Sequence, residues 1–445
     1  MRRLFEVMIL SVALLGLVLF FLTPPPGRQD GSALRGDRSR PAGGGAGSAA
    51  GTGEERPEKG LGPGEDAPPT AHRIQQRAGI GREERAPGRI PGEWIVRFAS
   101  QADLEAFLAR AAALGLVAVD RLDGLLAVRV RGSRAQLEAA LAGSTGPFEL
   151  AGNFRISAPD RPPPPPDVDV DSLQPFGDTA PEWLGADPAC PGQGSGVTVA
   201  VLDTGIRPHP TLASARIRSL DLLGDQAAAA GDYAGHGSAI ASLIAGSHPL
   251  APGMAPQAEI LDIRVLDANG VGDVFTLAKG ITAAADAGAQ IINLSLGGYG
   301  YPPVLQEAIR YASAQGALVV AAAGNDGGSA VLYPARSPEV VAVGAVDAKG
   351  AHVPYSNQGQ DLDLVAPGFG VNAAWVEDQL VLFSGTSAAT ALVSGLAAVL
   401  LSRGQTDLTP EGLADLLVEI SRDAGEPGRD DRFGAGIPAL PPCPW

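Results

Sequence analysis

FSGTSAATALVSG, residues 383–395, opens an almost wholly apolar run that continues through Leu401 and is bounded by Gly404. A run of this length and uniformity predicts a helix buried in a large core. It is too short, and too interrupted by Thr390, Ser394 and Gly395, to cross a bilayer. Gly385 and Thr386 turn the backbone sharply into Ser387, which falls in the first turn of that helix. Unpaired backbone N–H groups and the helix dipole favour developing negative charge there. A hydroxyl so placed can attack a carbonyl, although the tripeptide GTS by itself is most simply an N-cap.

Working upstream from this helix, the chain alternates in kind. Val197–Leu202, Glu259–Val265, Ala289–Leu294, Ala317–Ala323 and Val340–Val346 are short apolar runs without period-2 alternation, the pattern of buried parallel strands. Between and after them, His236–Ala245, Val274–Ala287, Val304–Ala312 and Pro410–Ile420 read as helices. The last has Thr409 as N-cap and Pro410 at the first helical position. Alternating strands and helices over about 250 residues predict an α/β domain in three layers, a mostly parallel sheet covered on both faces. In such sheets, sites form at the carboxyl ends of strands.

Three further residues stand at the ends of strands or the start of a helix. Asp203 follows the strand Val197–Leu202 in D-T-G; His236 opens a helix in G-H-G-S; Asn325 closes the strand-turn A-A-A-G-N, where Gly324 permits an unusual backbone angle. Singly, each has a plain structural explanation as a cap, a core histidine or a turn former. Jointly with Ser387 they supply what acyl transfer needs: a weak hydroxyl nucleophile, an imidazole to take its proton, a carboxylate to orient the imidazole, and a donor for the oxyanion.

The text VAVLDTGI (199–206), HGSAIASLIAG (236–246), INLSLGG (292–298), AAAGN (321–325), SNQGQDLDLVAPG (356–368) and SGTSAA (384–389) resembles the subtilisin-like serine protease family (subtilase, peptidase S8) over roughly residues 190–440. The order Asp, His, Ser along the chain is the family's own. The resemblance implies a serine endopeptidase with Asp203, His236 and Ser387 as catalytic triad and Asn325 as oxyanion donor. It assigns substrate binding to Ser295, Leu296 and Gly297, with Ala323 and Gly324 as floor of the primary specificity pocket. Small residues there leave room for a sizeable apolar side chain. His209, in RPHPTL, belongs to a recurrent family segment outside the chemistry, and His248 and His352 are expected at the surface. The chain departs from the family pattern at Ala388, Ala391 and Leu392. It departs again at Thr211, which replaces an acid of the common calcium site, and in the short loop Ser247–Gly253, which lacks the usual Asn ligand. No cofactor is required on this reading, and tight calcium binding at that site is not expected.

Residues 1–26 contain Met1-Arg2-Arg3 followed by the apolar segment Val7–Leu22 and Pro24–Pro26. The segment reads as an uncleaved signal-anchor that exports the rest of the chain, with a cleaved signal peptide as the alternative. Residues 27–90 are rich in Gly, Pro, Ala, Arg and Glu and carry too little apolar surface to fold, so they predict a tether; His72 lies in it. Residues 91–158 give the element order β-α-β-β-α-β of a small ferredoxin-like domain, with a hairpin at Asp123-Gly124. By position and topology this domain resembles the family's inhibitory propeptide. The proline-rich linker 159–172 then separates it from the catalytic domain, 173–445, with cleavage expected between Ser157 and Asp171.

The formal charge of −16 is uneven: residues 1–97 hold 14 Lys/Arg against 11 Asp/Glu, which leaves −19 for the remainder. That acidity argues against a nucleic-acid partner. The two cysteines, Cys190 and Cys443, form no metal-ligand cluster. In an exported domain they predict a disulfide near the two ends of the catalytic region, the alternative being two unpaired thiols. The partners implied are polypeptide substrates, the chain's own propeptide and a membrane. Two rival functions are a catalytically silent peptide-binding module and a processing protease dedicated to one partner.

Overall fold

The computed structural model describes residues 86–159, 172–224, 231–404 and 408–443. The N-terminal apolar segment, the tether up to residue 85 and the prolines Pro162–Pro166 lie outside the described residues. Among the described residues no helix is long and apolar enough to cross a membrane.

The small domain is built from β1 (Arg89–Phe98), α1 (Gln101–Ala113), β2 (Val117–Leu122), β3 (Ala127–Arg131), α2 (Arg134–Leu141) and β4 (Phe148–Ser157). Both helices start where side chains cap them. Ser100 accepts from the Asp103 N–H, and Ser133 with Gln136 forms a reciprocal capping box. All strand pairs are antiparallel, in the order β4-β1-β3-β2. Where the sequence predicts a tight hairpin at Asp123-Gly124, residues Asp123–Leu125 coil into a 3-10 turn and Leu126 takes a left-handed conformation, so β3 starts two residues later than expected. The period-2 alternation of β1 divides its side chains. Trp94, Val96 and Phe98 pack with Leu104, Phe107 and Leu137 under the helices. Ile95, with Ala127, Phe154 and Ile156 from neighbouring strands, instead joins the core of the larger domain.

The larger domain is organised around seven strands: β5 (Thr198–Asp203), β6 (Arg216–Asp221), β9 (Glu259–Arg264), β11 (Ile291–Leu294), β12 (Leu318–Ala322), β13 (Val340–Val346) and β14 (Leu364–Pro367). A two-residue hairpin, β7 (Ser247–His248) with β8 (Ala251–Pro252), and the short β10 (Val271–Asp273) intervene. The sheet order β14-β13-β12-β11-β5-β9-β6 is parallel throughout. From β5 the chain crosses to the edge as β6, fills the gap with β9, then returns to build the other side from β11 to β14. The carboxyl ends of β5 and β11 therefore stand side by side where the winding reverses, the place such sheets use for sites. Strands β11, β12 and β13 are buried at every position. β6 and β14 were not expected from sequence. The first is a largely exposed, polar edge strand, and the second is four residues ending in proline.

Helices α3 (His236–Ala245) and α6 (Thr386–Ser402) pack together on one face of the sheet; α4 (Val274–Asp286) and α5 (Pro303–Ala314) pack together on the other, with α7 (Pro410–Glu419) following. α3 is buried along its whole length, and α6 from Thr386 to Leu401. Gly395 makes their close packing possible: a first side-chain carbon there would come within 2.6 Å of Met254 Cβ and 3.6 Å of Ile244 Cα. A final hairpin, β15 (Val371–Ala374) with β16 (Leu380–Phe383), leads into α6. Cys190 and Cys443, 253 residues apart, are joined as a disulfide.

Candidate active site

Asp203 is the last residue of β5 and His236 the first of α3, and both are almost wholly excluded from solvent. The two carboxylate oxygens lie 2.8 and 2.9 Å from His236 Nδ1. A carboxylate accepts, so Nδ1 carries the proton and Nε2 presents a lone pair. The start of α3 is fixed to the end of β5 by Thr204. Its N–H donates to Asp203 Oδ1 at 2.7 Å, its hydroxyl donates to the Tyr233 carbonyl, and its Oγ1 accepts the Gly237 N–H. Phe383 and Tyr233 flank the imidazole, ring centroids 5.4 and 6.0 Å away.

Ser387 is the second residue of α6 and is buried. Gly385 caps the helix at φ +146°, a conformation that side chains rarely adopt, so the sharp entry expected from the sequence has its cause in that residue. The Ser387 hydroxyl donates to the Ser295 carbonyl at 3.5 Å, and His236 Nε2 has no hydrogen-bond partner among the described residues. Ser295 is held by Asn293 Nδ2 at 3.0 Å, and Asn293 Oδ1 in turn accepts from Ser394. This buried chain of polar groups ties the end of β11 to the first turns of α6.

Asn325 lies beside the helix start, 4% exposed. Its Oδ1 accepts both the Thr386 N–H, at 2.9 Å, and the Thr386 hydroxyl, at 3.0 Å. A backbone N–H can only donate, which assigns oxygen to that side of the amide and turns Nδ2 towards Gly385. Gly324 takes φ +110° at the preceding position, as its sequence context suggested.

Ser295, Leu296, Gly297, Ala323 and Gly324 are all buried and come together as two neighbouring walls. The room expected between them is partly taken. Leu332 packs against both Gly297 and Gly324, and its N–H donates to the Ala323 carbonyl. No local pattern announced this, because Leu332 reaches the pocket only through the return of the loop that follows Asn325.

The tail of the small domain lies along the first of these walls. Ser157 exchanges two backbone hydrogen bonds with Gly297, at 3.0 and 2.9 Å. On the other side β10 pairs with β4 in antiparallel register, Gly272 opposite Ile156, and the Ala158 N–H donates to the Gly270 carbonyl at 2.8 Å. β4 and its extension are thus a strand between two strands. Ile156 lies against both Gly272 and Gly298, 3.5 Å from where a first side-chain carbon of either would stand. The segment on the far side of the tail, Gly270–Asp273, was not singled out in the sequence; its glycines in ANGVGD are the only signal that could have done so.

Polar contacts anchor the same small domain to α4. Asp273 caps α4 by accepting from Phe275 and Thr276, and also receives Arg129 at 2.8 Å and Asn153 Nδ2 at 3.1 Å. Lys279 pairs with Asp120 at 2.9 Å.

The remaining histidines have structural partners. His209 is buried, with Nδ1 2.9 Å from Thr211 Oγ1 and Nε2 3.0 Å from the Gln379 carbonyl, consistent with a place outside the chemistry. Thr211, where the family carries an acid, is fully buried. His248 is half-buried. His352 corrects the expectation of a surface residue: its ring packs edge-on against Phe433, and burial, helped by Arg432, lowers its pKa to about 4. On β9, Asp262 is 5% exposed and accepts the Ile206 N–H; burial foremost, with the Asp203 charge adding, raises its pKa to about 6.

A family model described as the subtilase family matches residues 194–436. Among curated proteins, the chain is 40% identical over 218 residues to a thermophilic serine proteinase of Bacillus sp. (strain AK1), covering 48% of this chain and 54% of that one. It is 40% identical over 208 residues to subtilisin Savinase of Lederbergia lenta, 46% and 76% respectively. To thermitase of Thermoactinomyces vulgaris it is 38% identical over 218 residues, 48% and 78%. The chain spans about half the length of the first of these relatives. In fold it is similar to fervidolysin from Fervidobacterium pennivorans, titled a keratinolytic enzyme related to subtilisin, with TM-score 0.69 and 24% identity over 81% of this chain and 62% of that one.

Proposed function

The chain belongs to the subtilase family, and on that premise we propose that it is a serine endopeptidase acting through Asp203, His236 and Ser387. One observation carries the reading: a buried carboxylate holds His236 by Nδ1 while Ser387 opens α6 beside an amide whose oxygen side is already occupied. In the reaction, Ser387 Oγ attacks the carbonyl carbon of the scissile peptide and gives its proton to His236 Nε2. Asp203 stabilises the imidazolium, and Asn325 Nδ2 with the Ser387 N–H receives the oxyanion. His236 passes the proton to the departing amine; water, deprotonated by the same imidazole, then releases the acyl group. The long Ser387–Ser295 contact is compatible with this, since catalytic hydrogen bonds often tighten only with substrate in place.

Substrates are extended polypeptides paired between Gly270–Gly272 and Ser295–Gly297, as the chain's own tail is. Leu332 limits the primary pocket to side chains of moderate size. The docked domain, residues 91–158, acts as an inhibitory propeptide, and the protein is made as a zymogen; its N-terminal segment exports it and holds it at the membrane. Calcium remains a possible ligand elsewhere on the chain, but tight binding is not expected at the Thr211 position, where the acid of the family's common site is replaced.

The test is fluorophosphonate labelling of a chain cut in the 160–171 connection, with the adduct located by mass spectrometry. Labelling of Ser387 is expected, with loss in His236→Ala and a fall in casein turnover on the order of 10⁶-fold in Ser387→Ala. Unlabelled wild type would sink the proposal in favour of a silent peptide-binding module. Labelling without casein turnover would indicate a processing protease dedicated to one partner.

A further inference from the structure

The tail of the small domain lies in the cleft as a substrate strand would, and its register can be carried one step further. In an antiparallel ladder the residue pairs that exchange both backbone bonds alternate with pairs that exchange none. Ser157 and Gly297 are such an exchanging pair. Ala158 and Leu296 follow as a non-exchanging pair, and the next exchanging pair is residue 159 with Ser295. Ser295 is the residue whose carbonyl takes the Ser387 hydroxyl. Residue 159 is therefore the one that this register sets opposite Ser295, beside the nucleophile, and on the endopeptidase reading the bond it presents for attack is its own to residue 160.

Residue 159 is proline. It has no N–H to give to the Ser295 carbonyl, so the ladder ends one bond short of the nucleophile. The pyrrolidine ring also folds back on its own backbone nitrogen and cannot extend into a pocket floored by Ala323 and Gly324. Upstream, every position fits: Ile156 lies against Gly272 and Gly298, Ser157 makes both of its bonds, and Ala158 makes one to Gly270. Binding is complete up to the one residue that must be held for cutting.

We propose that Pro159 makes Ile156–Pro159 a segment that the enzyme binds as a substrate and does not cut. The block then outlasts folding, and opening of the cleft requires a second protease acting elsewhere on the connection. This rests on the endopeptidase reading above and adds a regulatory step to it.

The experiment compares the full chain with Pro159→Leu and Pro159→Ala, each also in a Ser387→Ala background, by intact mass over time. Both substitutions restore an N–H; alanine does so without adding bulk. The expected result is a product beginning at Asp160 in both variants, formed at least about 100-fold faster than in wild type and absent with Ser387→Ala. Wild type releasing the Asp160 product within a few-fold of the variants' rate would overturn the inference. If none of the chains cuts itself, labelling of Ser387 after a sequence-specific protease has cut an inserted site in the 160–171 connection decides what has failed. Labelling overturns the role of Pro159 and leaves the endopeptidase reading standing; no labelling overturns both.

Discussion

The two domains solve the problem of covering a sheet differently. In the larger one, seven parallel strands are covered by α3 and α6 on one face and by α4 and α5 on the other, so its core is complete within itself. The small one has helices on a single face. Its other face, bearing Ile95, Ala127, Phe154 and Ile156, is covered only by the larger domain. Accordingly, the chemistry resides in the self-sufficient domain, whereas the dependent domain contributes a strand and a set of polar anchors. On the propeptide reading proposed above, a domain whose core is completed by its target would have little reason to persist once released.

The largest effect expected within this contrast concerns the self-sufficient domain. Replacing Cys190 and Cys443 by serine opens a loop of 253 residues and should cost roughly 5–6 kcal/mol by the chain-entropy relation, read as a lower denaturant midpoint that matches the wild type under reduction. If stability is unchanged, that domain does not need its ends joined. Next in size, Asn325→Ala should lower kcat by about 10²–10³-fold, some 3–4 kcal/mol of barrier, with KM little altered; an equal change in KM would mean that the amide binds ground state and transition state alike.

Smaller effects belong to the dependence between domains. Arg129→Met removes a charge-assisted bond to Asp273 from an interface where both side chains are about 15% exposed. About 1.5–3 kcal/mol of docking should be lost, so fluorophosphonate should label Ser387 in the intact chain roughly 10–100 times faster. Unchanged labelling would place the hold of the domain in its apolar face alone. Smallest is the pH effect of Asp262. Its carboxyl holds a proton up to about pH 6 in the folded chain and to about 3.8 ordinarily, so the folded state binds more protons between those values and stability falls as pH rises through that window. Asp262→Asn should therefore stabilise by about 1–2 kcal/mol above pH 6 and by nothing below pH 4, as followed by urea unfolding at both ends.

The sequence was most legible where a local pattern and a local function coincide. The buried strands announced themselves by unbroken apolar runs, and Asp203, His236, Asn325 and Ser387 each sit where a strand ends or a helix begins. What escaped notice depends on distant chain. β6, reading RIRSLD, is an edge strand whose polar side chains carry no core signal. The segment at Gly270–Asp273 binds through its backbone, which side-chain chemistry does not reveal. Leu332 and His352 take their places only because a loop returns over the pocket and Phe433 arrives from the far end of the chain.

The disulfide has a further consequence for a molecule that meets copies of itself at work. Cys190 and Cys443 fasten the two ends of the catalytic region, so one cut anywhere between them leaves a single covalent molecule rather than two pieces free to drift apart. A nicked copy keeps every strand of its sheet tethered near its place and can close up again. On the endopeptidase reading, the bond would convert self-digestion from a single-hit loss into a multiple-hit one.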